Sequence, residues 1–136
     1  MQTKGVGKRG TIPLMTAVQR IDIDDPEVDM DGSERLYYSG RPFTGEVTEH
    51  LGESLVSLDS YVDGYKNGPS REWYQDGTLR SEGTLRAGLA VGEFREWHSN
   101  GVLAARQVFA ENGMTLLEEH TWDEHGRPTR TWRKGA

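Results

Sequence analysis

The chain has 136 residues, a formal net charge of −6, 17 glycines and no cysteine. That length suits one domain of ordinary size, and the missing cysteine excludes disulfides and thiolate metal sites. The largest single-sign charge block is acidic, against the broad basic face that generic nucleic-acid binding wants. No stretch approaches the roughly 18 apolar residues of a membrane-spanning helix.

In chain order, residues 1–20 carry Lys4, Lys8, Arg9 and Arg20 and no acid. The apolar run "TIPLMTAV" is short, contains Pro13 and has no small-residue cleavage pattern. A secretory leader is therefore not expected; a flexible basic segment of a soluble, cytoplasmic protein is. Residues 21–35 form an acidic segment with Asp22, Asp24, Asp25, Glu27, Asp29, Asp31 and Glu34. Within it "EVDMDGSE" imitates a calcium loop, but the twelfth position, where a bidentate acid belongs, is Tyr38. The expectation is a solvated or partner-facing acidic patch without metal.

From residue 36 onward the chain repeats itself. Gly64, Gly88 and Gly113 are spaced by 24 and 25 residues, as are Trp73, Trp97 and Trp122, and Gly77, Gly101 and Gly126. Leu79 and Leu103 complete the frame, and a degenerate earlier copy has His50 near the Trp slot and Leu55 in the Leu slot. The units run at about 41–64, 65–88, 89–113 and an incomplete 114–136. Self-similarity at this period marks a repeat architecture. Each unit holds two turn signals, such as "QDG" then "RAG" or "SNG" then "ENG", between short segments. Asp-Gly and Asn-Gly there mark β-hairpins. The predicted fold is all-β: an elongated antiparallel meander of repeated hairpins. "GMTLLEEHTW" holds good helix formers, but Trp122 sits in the repeat frame and favours strand.

A three-residue loop, Gln75-Asp76-Gly77 with Gly77 left-handed, pairs Trp73 with Leu79. Simple alternation then gathers Trp73, Leu79, Leu85, Leu89, Val91, Trp97, Leu103 and Phe109 on one buried face. The other face receives Glu72, Tyr74, Arg80, Glu82, Thr84, Glu96, His98 and Arg106. A sheet apolar on one side needs a cover, and twist, a neighbouring segment, a second copy or a partner could supply it.

The pattern seen as "GPSREWYQDGTL" and "GEFREWHSNGVL", with "LYYSGRPFTGEV" ahead of it, resembles the YwqK-type antitoxins built from variant MORN repeats. The resemblance spans about residues 36–126 and implies a MORN-like repeat domain over 36–136. It implies no catalytic residue. Its last unit departs from the pattern, with Leu117 where glycine is expected, so a distorted hairpin is anticipated there.

Candidate chemistry is sparse. His50, His98, His120 and His125 lack metal-ligand spacing. No serine sits in a nucleophile elbow, and "GVGKRG" lacks the spacing of a phosphate loop. The reading is therefore a non-enzyme without cofactor or metal. The leading expectation is an antitoxin or immunity-type protein that neutralises a cognate protein toxin by contact. Asp22, Asp24, Asp25, Glu27, Asp29 and Asp31 would face a basic surface, such as that of a nucleic-acid-directed toxin, and Tyr74 and His98 would supply contacts at an interface centre. The alternative is a MORN-like scaffold or membrane-surface protein, against which net acidity argues. The open sheet face also offers a surface for self-association.

Overall fold

The structure, a computed structural model, describes residues 18–135. Lys4, Lys8 and Arg9 of the basic segment lie outside the described residues. The strands are β1 (Arg20–Asp22), β2 (Val28–Met30), β3 (Leu36–Tyr38), β4 (Arg41–Pro42), β5 (Gly45–Leu51), β6 (Ser54–Val62), β7 (Tyr65–Trp73), β8 (Leu79–Arg86), β9 (Leu89–Trp97), β10 (Leu103–Phe109), β11 (Leu116–Trp122) and β12 (Pro128–Arg133). Strands β5 to β12 pair with their sequence neighbours as one antiparallel meander, and β1 adds in parallel along β5, giving a nine-stranded open sheet. Strands β2, β3 and β4 form a separate three-stranded sheet. The fold is all-β, and the segment Leu116–Trp122 is strand, as its tryptophan requires.

Each repeat unit is one hairpin of the meander, and its tip has the three-residue geometry. The Tyr74 amide donates to Thr78 O and the Gly77 amide to Tyr74 O, while Gly77 has φ +96°. His98, Gly101 and Val102 repeat the arrangement 24 residues later, with Gly101 at φ +88°. The side chains of Asp76 and Asn100 accept the amides two residues on, which explains why a short polar residue precedes each turn glycine.

Trp73 pairs with Leu79 and Trp97 with Leu103. In the first unit His50 pairs with Leu55, and in the last Trp122 pairs with Pro128, which fills the Leu slot. Beside each of these pairs the outgoing strand carries an extra residue: Val56, Arg80, Ala104 and Thr129 have no partner on the facing strand. A bulge therefore recurs in every unit and shifts the alternation of the strand beyond it.

That shift corrects the two-face partition expected from sequence. Trp73, Leu79, Trp97 and Leu103 do share a face, hereafter the Trp face. Leu85 pairs with Gly68, five residues from Trp73, and so points to the opposite side. Phe109 packs edge-on against Phe94 on that opposite side, where Phe94 lies over Gly83. Conversely, Glu82, Thr84 and Arg106 move onto the Trp face: Arg71, two residues from Trp73, ion-pairs with Glu82, and Arg106 pairs with Arg95, two residues from Trp97. The Trp face is also not fully buried, because the tryptophans are half-buried and lie along the sheet with no covering layer among the described residues.

A second irregularity marks the start of the three later units. On β7 three residues centred on Gly68 face Ser60 alone, and on β9 three residues starting at Gly92 face Gly83. Gly68 and Gly92 have φ +108° and +70°. At the equivalent place on β11 only Leu117 is extra, between the pairs Phe109–Leu116 and Val108–Glu118. The leucine that replaces glycine in the last unit thus loses one residue of the bulge.

The described residues place the main core at one end, on the face away from the tryptophans. Ile21, Val47 and Tyr61 from β1, β5 and β6 pack against Leu36 from the small sheet and Phe43 just after it, with Ile23, Val28 and Tyr38 around them. Leu36 is completely enclosed. The small sheet is thus a cap, fixed to the β6–β7 turn by backbone bonds from Leu36 N to Gly64 O and from Gly64 N to Phe43 O. Arg35 adds an Nε bond to Asp63 O and lies against Tyr37 and Tyr65.

Candidate partner-binding surfaces

The acidic segment is not a detached arm. Its apolar residues, Ile21, Ile23 and Val28, enter or border the core, and most of its carboxylates close the turns between them. Asp22 accepts from the Asp24 amide at 2.9 Å and from His50 Nδ1 at 2.7 Å, and Thr48 Oγ1 lies 3.2 Å away. The Asp24 amide and then His50 hold its carboxyl below the usual aspartate range. Asp31 accepts from the Ser33 hydroxyl and from the Arg35 amide, which lower its pKa in that order of weight.

Asp25 and Glu27 meet the β3–β4 turn. Tyr38 donates its hydroxyl to Asp25 at 3.2 Å, and Ser39 donates to Glu27 at 2.9 Å. Burial first, then the Asp25 charge, pushes the Tyr38 hydroxyl up. Asp29 is exposed and, among the described residues, accepts only the amide of Met30. Asp24 is exposed and its carboxylate has no hydrogen-bond partner among the described residues. Among the described residues, Asp24 and Asp29, with Glu34, are therefore the acids of this segment with most freedom to meet a partner.

Tyr74 and His98 lie elsewhere, on the cap face near the hairpin tips, and line one shallow depression of about 350 Å³ with Glu72, Arg80, Glu96 and Ala104. Both are half-buried, and both are tied to the neighbouring unit. Tyr74 Oη donates to Trp97 O at 2.6 Å, and His98 Nε2 contacts Trp122 O at 2.8 Å. A carbonyl only accepts, so His98 Nε2 carries the proton. Asn100 Nδ2 donates to Glu124 O in the same direction. The signal for this linking role was in the sequence: a hydrogen-bonding ring follows tryptophan at the same place in successive copies. No hydrogen bond or ion pair joins Tyr74 and His98 to the acidic segment among the described residues.

Sequence reasoning missed a charged network on the Trp face. Glu93 accepts from Arg95 at 2.6 Å and Arg106 at 2.9 Å. Glu118 meets Arg133 at 3.1 Å, His120 at 3.2 Å and Arg106 at 3.7 Å. Burial raises the Glu93 pKa, but the Arg106 and Arg95 hydrogen bonds outweigh it and leave the group lowered. The His120 hydrogen bond and then that of Arg133 lower Glu118. These residues come together only because the bulges rotate Arg106 onto this face. Beside them runs the row His50, Leu55, Trp73, Leu79, Trp97, Leu103, Trp122 and Pro128, one residue per strand from β5 to β12.

The described residues contain no group of three or more His, Asp or Glu side chains able to hold a metal ion, and no helix long and apolar enough to cross a membrane. The fold and these surfaces define a capped repeat sheet with one uncovered, mixed apolar and charged face. Comparison with protein-family models, curated proteins and solved structures finds no match to the chain.

Proposed function

We propose that the chain is a protein-binding module of the antitoxin or immunity type, which neutralises a cognate protein toxin by direct contact. The observation that carries this reading is the uncovered Trp face. A row across eight strands, apolar on all but the first, where His50 stands, runs beside a network of Arg and Glu, a composition in which aromatic residues and arginine recur as interface anchors. At about 4.8 Å per strand spacing, the row extends over roughly 34 Å, the scale of a standard protein interface. The resemblance of the repeat motif to YwqK-type antitoxins supports the same class. Exposed Asp24 and Asp29 on the cap would attract a basic partner from a distance and speed encounter.

Co-expression with the product of a neighbouring toxin-like reading frame tests the proposal. Expected are protection of the cells and a complex that survives size-exclusion chromatography. Trp97→Ala should accelerate dissociation, while Asp24→Asn with Asp29→Asn should slow association at low salt and leave dissociation unchanged. No complex, together with binding of the chain to anionic vesicles, would overturn the proposal in favour of a membrane-surface role.

A further inference from the structure

Between the cap and the adjoining sheet, away from the Trp face, runs a groove of about 610 Å³ that borrows Ile23, Met30, Ser33 and Glu34 from the acidic segment. Three carboxylates line it: Glu34 from the cap, Glu49 from β5 and Asp59 from β6. A single ammonium, Lys66, stands against them, 3.7 Å from Asp59 and itself well exposed. Apolar side chains, among them Met30, Val47 and Leu85, form much of the rest of the wall.

An independent feature points to a ligand. Tyr61 also lines the groove, and only 4% of it is exposed. Its hydroxyl nevertheless makes no hydrogen bond among the described residues, although buried hydroxyls are normally satisfied. Burial, and then the charges of Asp59 and Glu34, push its pKa up to about 12. The two acids that act on the hydroxyl, Asp59 and Glu34, line the groove together with Tyr61 itself. At neutral pH the neutral hydroxyl keeps acceptor lone pairs free for an incoming N–H donor.

We infer that this groove receives one basic side chain of a protein partner, a guanidinium or alkylammonium on an apolar stem. The stem would lie against Met30, Val47 and Leu85. The cation would take the excess negative charge of Glu34, Glu49 and Asp59, and its N–H would donate to Tyr61 Oη. An arginine has the reach and the donor geometry for such a site, and its charge-assisted bonds are the stronger kind. The partner as source of the cation rests on the protein-binding reading above; the selectivity of the groove for a cation does not.

The test uses the whole chain and nitrogen-15 NMR, with n-butylguanidinium as the probe and n-butanol as its neutral counterpart. Expected are saturable shifts at the amides of Glu34, Ser57 and Gly88 with the cation, and shifts at least about fivefold weaker with the alcohol. Glu34→Gln and Tyr61→Phe, each keeping shape and core, should each weaken cation binding by about threefold to tenfold, the effect of losing one charge or one hydrogen bond. Retention of the dispersed spectrum confirms that each variant is folded. Equal response to the alcohol, no saturable response, or unchanged binding in both variants would each overturn the cation site. An alanine peptide bearing one arginine distinguishes the source. Binding about tenfold tighter than the free cation supports a partner side chain, and equal binding overturns that part and assigns a small free cation. Because these titrations need no toxin, their outcome is separable from that of the co-expression experiment.

Discussion

The two ends of the nine-stranded sheet are built on different principles. At the capped end, Ile21, Leu36, Phe43, Val47 and Tyr61 close around one another from five separate segments, and Leu36 is wholly enclosed. From Val62 onward, Val91 is the only hydrophobic residue among those described that is buried. The open end is instead held by ladder hydrogen bonds, cross-strand pairs and contacts between successive units. Such a region draws its stability from nearest neighbours, as repeat proteins do, whereas the cap end has the long-range packing of an ordinary globular core. Cooperative stability should therefore be concentrated near the cap, and the repeat end should fray first.

The sharpest way to break this contrast is by truncation. Leu36→Ala should cost about 2–5 kcal/mol, the range for enclosed leucine. Trp97→Ala should cost roughly 1.5–2.5 kcal/mol, half the range of about 3–5 for a fully buried tryptophan. Urea unfolding measures both, and a larger loss for Trp97 than for Leu36 would reverse the proposed distribution of stability.

Turn glycines offer a finer comparison. Gly64 and Gly77 have similar dihedrals, φ +87° and +96°. A Cβ on Gly77 would meet nothing within 4 Å, so Gly77→Ala should cost only the left-handed strain of about 1–2 kcal/mol. A Cβ on Gly64 would lie 2.6 Å from Arg35 Cγ and 2.7 Å from Leu36 O. Gly64→Ala should add roughly 1–3 kcal/mol of overpacking and loosen the cap. Hydrogen exchange at Leu36, whose amide bonds to Gly64 O, reports that loosening; equal effects of the two substitutions would mean the cap is not fixed there.

The smallest effect separates the two ends by acid and salt. Carboxyls with lowered pKa occur at both: Asp22 and Asp31 at the cap, Glu118 and Glu119 on β11. A folded-state pKa below the unfolded one gives stability that is complete above the ordinary values of 3.8 and 4.5 and is lost as pH falls through the lower folded values. The melting temperature should fall on acidification below those values. Glu118 owes part of its shift to the charges of Arg133 and Arg106, and Asp31 leans on a hydroxyl and backbone amides. Added salt should accordingly blunt the acid response of the repeat end more than that of the cap.

Much of the repeat end was legible in the sequence. The hairpins, the three-residue loops, the left-handed Gly77 and Gly101, and the pairing of Trp73 with Leu79 all follow from spacing and turn chemistry. The faces beyond the bulge were not legible, because Arg80 and Ala104 carry no feature that marks a residue without a partner. One unpaired residue was enough to send Leu85 and Phe109 to the opposite side and bring Arg106 round. The cap was hidden for another reason. Its charge dominated the reading, although in "IDIDDPEV" Asp22 and Asp25 close turns while Ile21, Ile23 and Val28 turn inward. Tyr74 and His98 were singled out for partner contact, whereas the structure shows each one reaching a carbonyl of the next unit, which no local pattern reveals.

That linking bond has a consequence for length. Tyr74 reaches the carbonyl of Trp97 just as His98 reaches that of Trp122, so these two successive junctions share one kind of connector. Excising residues 75–98 would set Tyr74 beside Ser99, in the place of His98 and facing the same Trp122 carbonyl. Two strands would vanish without changing which side any remaining residue faces. The molecule behaves as a ruler graduated in steps of two strands, about 10 Å each, and its reach changes only by whole graduations.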